Sequence, residues 1–318
     1  MKRSTTGLCG VLAIDKPAGM TSHDVVDAVR RATGERRVGH AGTLDPAATG
    51  LMLIGVGAAT RLSRYLTGHD KSYRARIVFG ASTDTDDATG RVTGGSATQL
   101  PACAPELPAD AQAACATLVG SFEQLPPAYS AIKKNGVAAY KAAREGSALE
   151  LEARTVTVHE ARLEATGSVE TQLEGLAAGT RLPYWDVFVR VSKGTYIRSI
   201  ARDLGTRFGC GAHLGSLRRV SVADYGIERA VSLAALEQAA GSGRDLPWCD
   251  PAALLGFPVL QLDERQADDV SHGRALAAVA DAPEVSCVAH DKLLAVYKCA
   301  GGQLRPATVI PGGVAGVC

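Results

Sequence analysis

Gly39-His40-Ala41-Gly42-Thr43-Leu44-Asp45-Pro46-Ala47-Ala48-Thr49-Gly50 is the stretch from which the rest of the chain is read. It holds one carboxylate, one imidazole, one proline and three glycines. Glycine admits positive φ and lets another molecule approach the backbone closely. Pro46 fixes its own φ and disfavours helical backbone at Asp45. Asp45 is therefore expected to stand extended in a stiff loop with little bulk around it. A carboxylate presented that way suits a nucleophile, a general base, a metal ligand or a turn former. Composition alone favours the turn, because Asp-Pro and glycine-rich strings usually are turns.

Upstream of this loop, Leu8 to Ile14 is an apolar run of strand length. Thr21-Ser22 offers an N-cap, Val25, Val26, Val29 and Ala32 recur at helical spacing, and Gly34 supplies a stop, which predicts a helix over 22–33. Downstream, Leu51 to Gly57 reads as a buried strand and Ala58 to Leu66 as a short helix. In Lys71 to Gly80, Tyr73, Ala75, Ile77 and Phe79 alternate with Arg74 and Arg76, the pattern of a half-buried strand with a basic outer side. Thr83 to Gly90 is an acidic turn without the glycine position and distal Glu of a calcium loop.

Residues 91–110 read as loop, 111–119 as helix, and Leu125 to Ala131 as an extended stretch held by Pro126 and Pro127. Helix is predicted over 136–145, strand over 154–158, and a hairpin or irregular insertion over 165–183. Trp185 to Ser192 is a strand, and Ile197, Ile200, Ala201 and Leu204 form the buried stripe of the helix after it. Arg198 lies in the first turn of that helix, where the dipole disfavours a cation. A charge placed against the local rule points to function. Val220 to Tyr225 reads as a strand and Val231 to Ala240 as a helix. Beyond a Gly- and Pro-rich boundary, residues 252–318 carry the short apolar runs of a small β-rich module.

The 318 residues are enough for two domains, and 46% hydrophobic with 21% charged residues is ordinary for a globular protein. No run of about 18 apolar residues predicts a membrane span. The basic start is too short on apolar residues for a signal peptide, so the cytoplasm is the expected compartment. The eight cysteines form no C-x-x-C pair and, with the histidines, no zinc spacing, so no metal is expected. The net charge of +1 neither supports nor excludes a nucleic-acid partner, although basic pairs occur at Arg30-Arg31, Arg36-Arg37, Arg61 with Arg64, Lys133-Lys134 and Arg218-Arg219. Phosphate-loop, dinucleotide and nucleophile-elbow motifs are all missing. One Asp in a rigid loop, tyrosines at strand and helix starts, a misplaced Arg and dispersed basic pairs suit covalent or electrostatic chemistry on a polyanion, with stacking of an unpaired base.

Several segments carry a family resemblance. Lys16-Pro17-x-Gly19-x-Thr21-Ser22, the Gly39 to Leu51 string, Lys71-Ser72-Tyr73-Arg74, Thr83-Asp84-Thr85-x-Asp87, Tyr129-Ser130-Ala131-x-Lys133, Ser192 to Arg198 and Ala212-His213-Leu214-x-x-Leu217-Arg218-Arg219 resemble, in order, the motifs of the tRNA pseudouridine synthase B (TruB) family. The match covers most of residues 8–225; residues 165–183 look longer than is usual there. The resemblance implies an α+β pseudouridine synthase fold, with a central mixed, largely antiparallel sheet flanked by helices. It implies a catalytic domain over 1–250 and a PUA-like RNA-binding domain over 251–318.

It further implies isomerisation of uridine 55 in the T loop of tRNA, without cofactor or metal. The partner would be the tRNA T stem-loop, with no membrane and no obligate protein partner. Asp45 becomes the catalytic carboxylate and Arg198 the active-site arginine. Tyr73 would stack on the target base, Tyr196 and Leu217 would line the pocket, and His40 would fill the space left by the flipped nucleotide. Lys16 and Asp84 are expected to support the fold. The competing reading is a non-catalytic RNA-binding or tRNA-folding protein on the same scaffold. A glycosidase is disfavoured because no second carboxylate sits in a comparable loop.

Overall fold

The computed structural model describes residues 6–95, 108–134, 136–147, 149–243, 245–277 and 282–317. The chain divides into two compact units, Met1–His69 with Ser221–Cys318, and Asp70–Val220.

The first unit opens with β1 (Gly10–Lys16), α1 (Ser22–Thr33), β2 (Val38–His40), β3 (Thr49–Val56), a 3-10 turn over Gly57–Leu62 and α2 (Ser63–Leu66). The second unit holds β4 (Lys71–Phe79), β5 (Ser82–Thr83), β6 (Val92–Gly94), α3 (Pro108–Ala116), β7 (Gly120–Gln124), β8 (Lys133–Lys134), β9 (Val137–Ala138) and α4 (Ala139–Arg144). It continues with β10 (Arg154–Glu170), β11 (Arg181–Val191), α5 (Ile197–Phe208) and β12 (Ala212–Val222). The chain returns through β13 (Tyr225–Gly226), α6 (Leu233–Gly241), β14 (Trp248–Cys249) and α7 (Pro251–Leu255). It ends in β15 (Val259–Gln261), α8 (Glu264–Ser271), β16 (Leu276–Ala277), β17 (Glu284–Ala289), β18 (Lys292–Ala300) and β19 (Gln303–Ala315).

In the first unit, α1 has the bounds its sequence predicts. Thr21 caps it through a reciprocal pair of bonds with Asp24, and Gly34 closes it in a left-handed conformation. Val25, Val26 and Val29 form its buried face. The strands run in the order β14-β1-β3, with β2 added antiparallel on β3. A second sheet, β15-β17-β18-β19-β16, forms the β-rich C-terminal module, with α8 packed on it. That module has its own small core around Val285, Cys287, Tyr297 and Leu304. Its Val288, Leu293, Val296, Ile310 and Val314 instead join one apolar cluster with Val11, Ala13, Leu51 and Leu53 of β1 and β3.

In the second unit the strands run β12-β4-β11-β10-β7, and β7, β10, β11 and β4 pair antiparallel. Phe79, Trp185 and Phe208 cluster where α5 meets the sheet, Phe79 and Trp185 with ring centroids 4.8 Å apart. Four expectations need correction. The strand expected over 154–158 continues to residue 170, and of the two readings of residues 165–183 the hairpin holds: they are the far part of the β10–β11 hairpin, whose register shifts at Val158/Glu160 and Leu163/Ala165. The loop expected over 91–110 contains β6, paired with β5, while residues 96–107 lie outside the described part. The helix expected from residue 136 begins at Ala139, after the β8–β9 ladder. Finally, the strand expected over Val220 to Tyr225 is not a separate element: Val220 to Val222 end β12, and Tyr225 opens β13.

Candidate active site

The Asp45 loop is pinned at several points. Its start, β2, pairs with β3 so that His40 lies opposite Ile54, and the Ala41 N–H donates to the Leu53 carbonyl at 2.9 Å. The Leu44 N–H donates to Ser22 Oγ at 2.9 Å, and the Ser22 hydroxyl donates back to the Leu44 carbonyl at 3.0 Å. Lys16, fully buried, donates through Nζ to the carbonyls of Pro17 at 2.8 Å and Pro46 at 3.2 Å. The Gly19 N–H donates to the same Pro46 carbonyl at 2.9 Å. Asp45 closes a tight turn, its carbonyl accepting from the Ala48 N–H at 3.1 Å. Gly42, at φ 107°, turns the chain in a conformation that side chains disfavour. Ala41, Leu44 and Ala48 point into the core, while Asp45 and His40 are half-buried. The loop is thus a stiff mount for one partly exposed carboxylate.

In the second unit, Tyr196 and Arg198 sit at the start of α5. Arg198 is 5% exposed. Its Nη1 donates to the Thr85 carbonyl at 3.0 Å and its Nη2 to the Tyr129 carbonyl at 2.9 Å, and Nε lies 3.9 Å from the Asp87 carboxylate. These contacts offset the unfavourable helix position. Asp87 is itself held by Thr85 and Thr89, and Asp86, at φ 60°, pairs with Arg202 at 3.1 Å. Burial raises the Asp86 carboxyl, with Arg202 and Arg198 opposing. The acidic turn is therefore a socket for arginines. Asp84 supports the same turn by accepting from the Arg91 N–H at 2.9 Å.

Tyr196 lies under the Arg154 guanidinium, 4.7 Å from the ring centroid. Tyr73 is buried on β4 opposite Val189 of β11. Leu217 is half-buried on β12, the strand beside β4. So His40 and Asp45 share one loop, Tyr196 and Arg198 share one helix start, and Tyr73 and Leu217 occupy neighbouring strands.

Sequence reasoning missed two contributors and one perturbed amine. Ser22, read as cap material and as part of a family motif but given no role at the loop, clamps the residue before Asp45. Gln124, which gave no signal, is fully buried and bonds the Tyr196 backbone twice. Lys71 carries an amine that burial, with Arg219 and Lys193 nearby, pushes down to about 8. The basic pair Arg61 and Arg64, in contrast, is tied to the first unit's last strand, donating to the carbonyls of Val309 and Ala307. Among the described residues, no group of His, Cys, Asp and Glu side chains is arranged to hold a metal, and no helix is long and apolar enough to cross a membrane.

Three family models match the chain. TruB family pseudouridylate synthase (N terminal domain) covers residues 30–197, tRNA pseudouridylate synthase B C-terminal domain covers 198–246, and tRNA pseudouridine synthase II, C terminal, covers 257–311. A tRNA pseudouridine synthase B from Thermobifida fusca is 42% identical over 310 residues, 95% of this chain and 99% of that one. One from Leifsonia xyli subsp. xyli is 44% identical over 267 residues, 84% and 83% of the two chains. Among solved structures, a Cbf5-Nop10-Gar1 complex aligns with TM-score 0.66 at 22% identity, over 95% of this chain and 85% of that chain. At that identity the likeness speaks to the fold: a mixed sheet with flanking helices, followed by a β-rich C-terminal part.

Proposed function

The chain belongs to the TruB family of tRNA pseudouridine synthases, isomerases that form pseudouridine in tRNA, and on that premise we propose that its target is uridine 55 in the T loop. The bond from ribose C1′ to N1 breaks, the released base rotates while held, and C5 bonds to C1′. C5 gives up its proton and N1 gains one, so atoms balance without a co-reactant. Asp45 is the catalytic carboxylate of this sequence of steps. The observation that carries the reading is the mounting of Asp45: three independent contacts, from Ser22, Lys16 and Gly19, fix the loop on both sides of a half-buried carboxylate. Such fixation holds a reacting group in place without reorganisation at the moment of reaction.

Arg198 supplies positive charge, Tyr73 stacks on the base, Tyr196 and Leu217 line its pocket, and His40 fills the space the flipped nucleotide leaves. Flipping costs about a few kcal/mol, which an inserted ring partly offsets. The catalytic domain is assigned to 1–250 and a PUA-like RNA-binding domain to 251–318. The T stem-loop is the recognised part of the tRNA, and binding weakens steeply with salt, by about 0.7 in log K per log unit for each single-stranded phosphate contact. The test is a single-turnover assay on an unmodified tRNA transcript, beside one carrying cytidine at position 55. Pseudouridine in the first and none in the second is expected. Pseudouridine elsewhere would overturn the target, and tight binding without product would leave the non-catalytic scaffold in its place.

A further inference from the structure

Gln124 ends β7, and its side chain is fully buried. Its amide faces the backbone of Tyr196, 72 residues away in sequence. The Tyr196 N–H donates to Gln124 Oε1 at 2.8 Å, and Gln124 Nε2 donates to the Tyr196 carbonyl at 3.1 Å. One side chain thus reproduces a rung of an antiparallel ladder, using both its donor and its acceptor. Tyr196 is the N-cap residue of α5, in extended conformation, and no side-chain hydrogen bond caps that helix. Its backbone direction is set instead by Gln124. The residues that follow Gln124 continue the attachment. The Leu125 carbonyl accepts from Ser199 Oγ and from Arg202 Nη2, both at 2.9 Å, and the Tyr129 carbonyl accepts from Arg198 Nη2. Pro126 and Pro127 stiffen the connection between these anchors.

We infer that Gln124 is a positioning residue for the isomerisation: by holding the Tyr196 backbone through both halves of its amide, it sets the directions in which the Tyr196 ring and the Arg198 guanidinium leave the first turn of α5. This rests on the function proposed above, in which those two residues serve the target uridine. Gln124 lies within the sheet and acts on the reaction only through its two neighbours.

Two variants test it. Gln124→Met keeps the length and apolar bulk and removes both hydrogen bonds. Gln124→Glu keeps the acceptor for the Tyr196 N–H and removes the donor to its carbonyl. Each is assayed with the full tRNA transcript under single-turnover conditions at saturating enzyme, reading rate constant and amplitude separately, together with tRNA Kd and melting temperature. The expected result for each is a rate constant lowered by about tenfold or more, with Kd changed by less than about twofold, since affinity rests on phosphate contacts. A merely structural glutamine would lower the amplitude and melting temperature and leave the rate constant of the folded fraction at the wild-type value; that result overturns the inference. Should Gln124→Met fail to fold, Gln124→Glu decides by the same criterion. The wild type, run in parallel, separates the two levels. An active wild type beside variants of unchanged rate constant overturns the positioning role alone, whereas an inactive wild type overturns the function and this inference with it.

Discussion

Ser22 and Leu44 exchange two hydrogen bonds across 22 residues of sequence, each group buried, with the Ser22 hydroxyl acting as donor and acceptor at once. Ser22 is the first residue of α1, and Leu44 immediately precedes Asp45. The helix start is thereby stitched to the loop, and the carboxylate inherits the rigidity of a capped helix.

Ser22→Ala removes both bonds and leaves the Leu44 N–H and carbonyl without that partner. A loss of about 1–3 kcal/mol is expected, read as a lower denaturant midpoint at unchanged m-value. The single-turnover rate constant should fall by about tenfold through loosening of the Asp45 mount. A lower midpoint with an unchanged rate constant would show that Lys16 and Gly19 suffice.

Asp45→Asn is expected to abolish pseudouridine formation while tRNA binding stays within about tenfold of wild type, because phosphate contacts carry most of the affinity. Filter binding alongside the turnover assay checks it. Loss of binding in step with activity would count against a chemical role for the carboxylate.

Arg198→Lys retains the charge and loses the planar fork that reaches Thr85, Tyr129 and Asp87 from one side chain. A point charge cannot satisfy that set of directions. The expected rate constant at saturating enzyme is lower by about a hundredfold. Wild-type turnover in this variant would mean that charge alone matters at the site.

Lys71 gives a pH signature. Its amine is depressed to about 8 in the folded protein from an ordinary 10.5. Below about pH 8 both folded and unfolded chains carry the proton, and the folded state bears the cost of burying it. Between about 8 and 10.5 the unfolded chain binds the proton and the folded one does not, so stability rises with pH. The contribution approaches about 1.4 kcal/mol per pH unit in that window. The buried thiols of Cys115 and Cys287, pushed up to about 11 and about 12, act in the opposite sense in the same window, so the signature is a difference: by urea unfolding, the stability of wild type relative to Lys71→Met should rise across the window. An equal slope in the variant would refute the assignment.

Deletion of residues 251–318 tests the role of the C-terminal module. A self-contained RNA-binding appendage would leave a folded enzyme of weaker affinity. The structure leads to a different expectation, because Val288, Leu293, Val296, Ile310 and Val314 belong to the core that covers β1 and β3. Each such side chain stabilises by about 1.5–3 kcal/mol when buried, against a typical total of about 5–15 kcal/mol. The truncated chain should therefore lose its cooperative thermal transition; a sharp transition near that of wild type would refute this.

Legibility in the sequence followed the range of the contacts. The bounds of α1 were readable because its signals, Thr21, Asp24 and Gly34, are all local. The strand starting at Arg154 was read too short, because a glycine such as Gly167 looks like a break. In the structure the Tyr184 ring lies within 2.9 Å of where a Cβ would stand, so the glycine marks close packing inside a regular ladder. Of the residues proposed for the site, Arg198 drew attention because a cation in the first turn of a helix breaks a local rule, and Asp45 because of the glycines and proline that frame it. Gln124 violates none, and its meaning depends on a partner 72 residues away. Arg61 and Arg64 look basic and free in sequence, yet each spends hydrogen bonds on carbonyls more than 240 residues downstream.

The division of the chain also bears on the order of assembly. Residues 70–220 are contiguous, whereas the unit bearing Asp45 is built from segments on either side of them. β1 pairs with β14, and the Cys9 carbonyl accepts from the Ala315 N–H at 3.1 Å. On a ribosome the inner block emerges whole and can fold as a unit. The outer one must wait for strands that follow residue 220, and it closes over a long span of chain. Asp45 is therefore synthesised early on a sheet that gains its apolar cover only when β17, β18 and β19 arrive, so competence for catalysis should appear abruptly once those strands have emerged rather than grow with chain length.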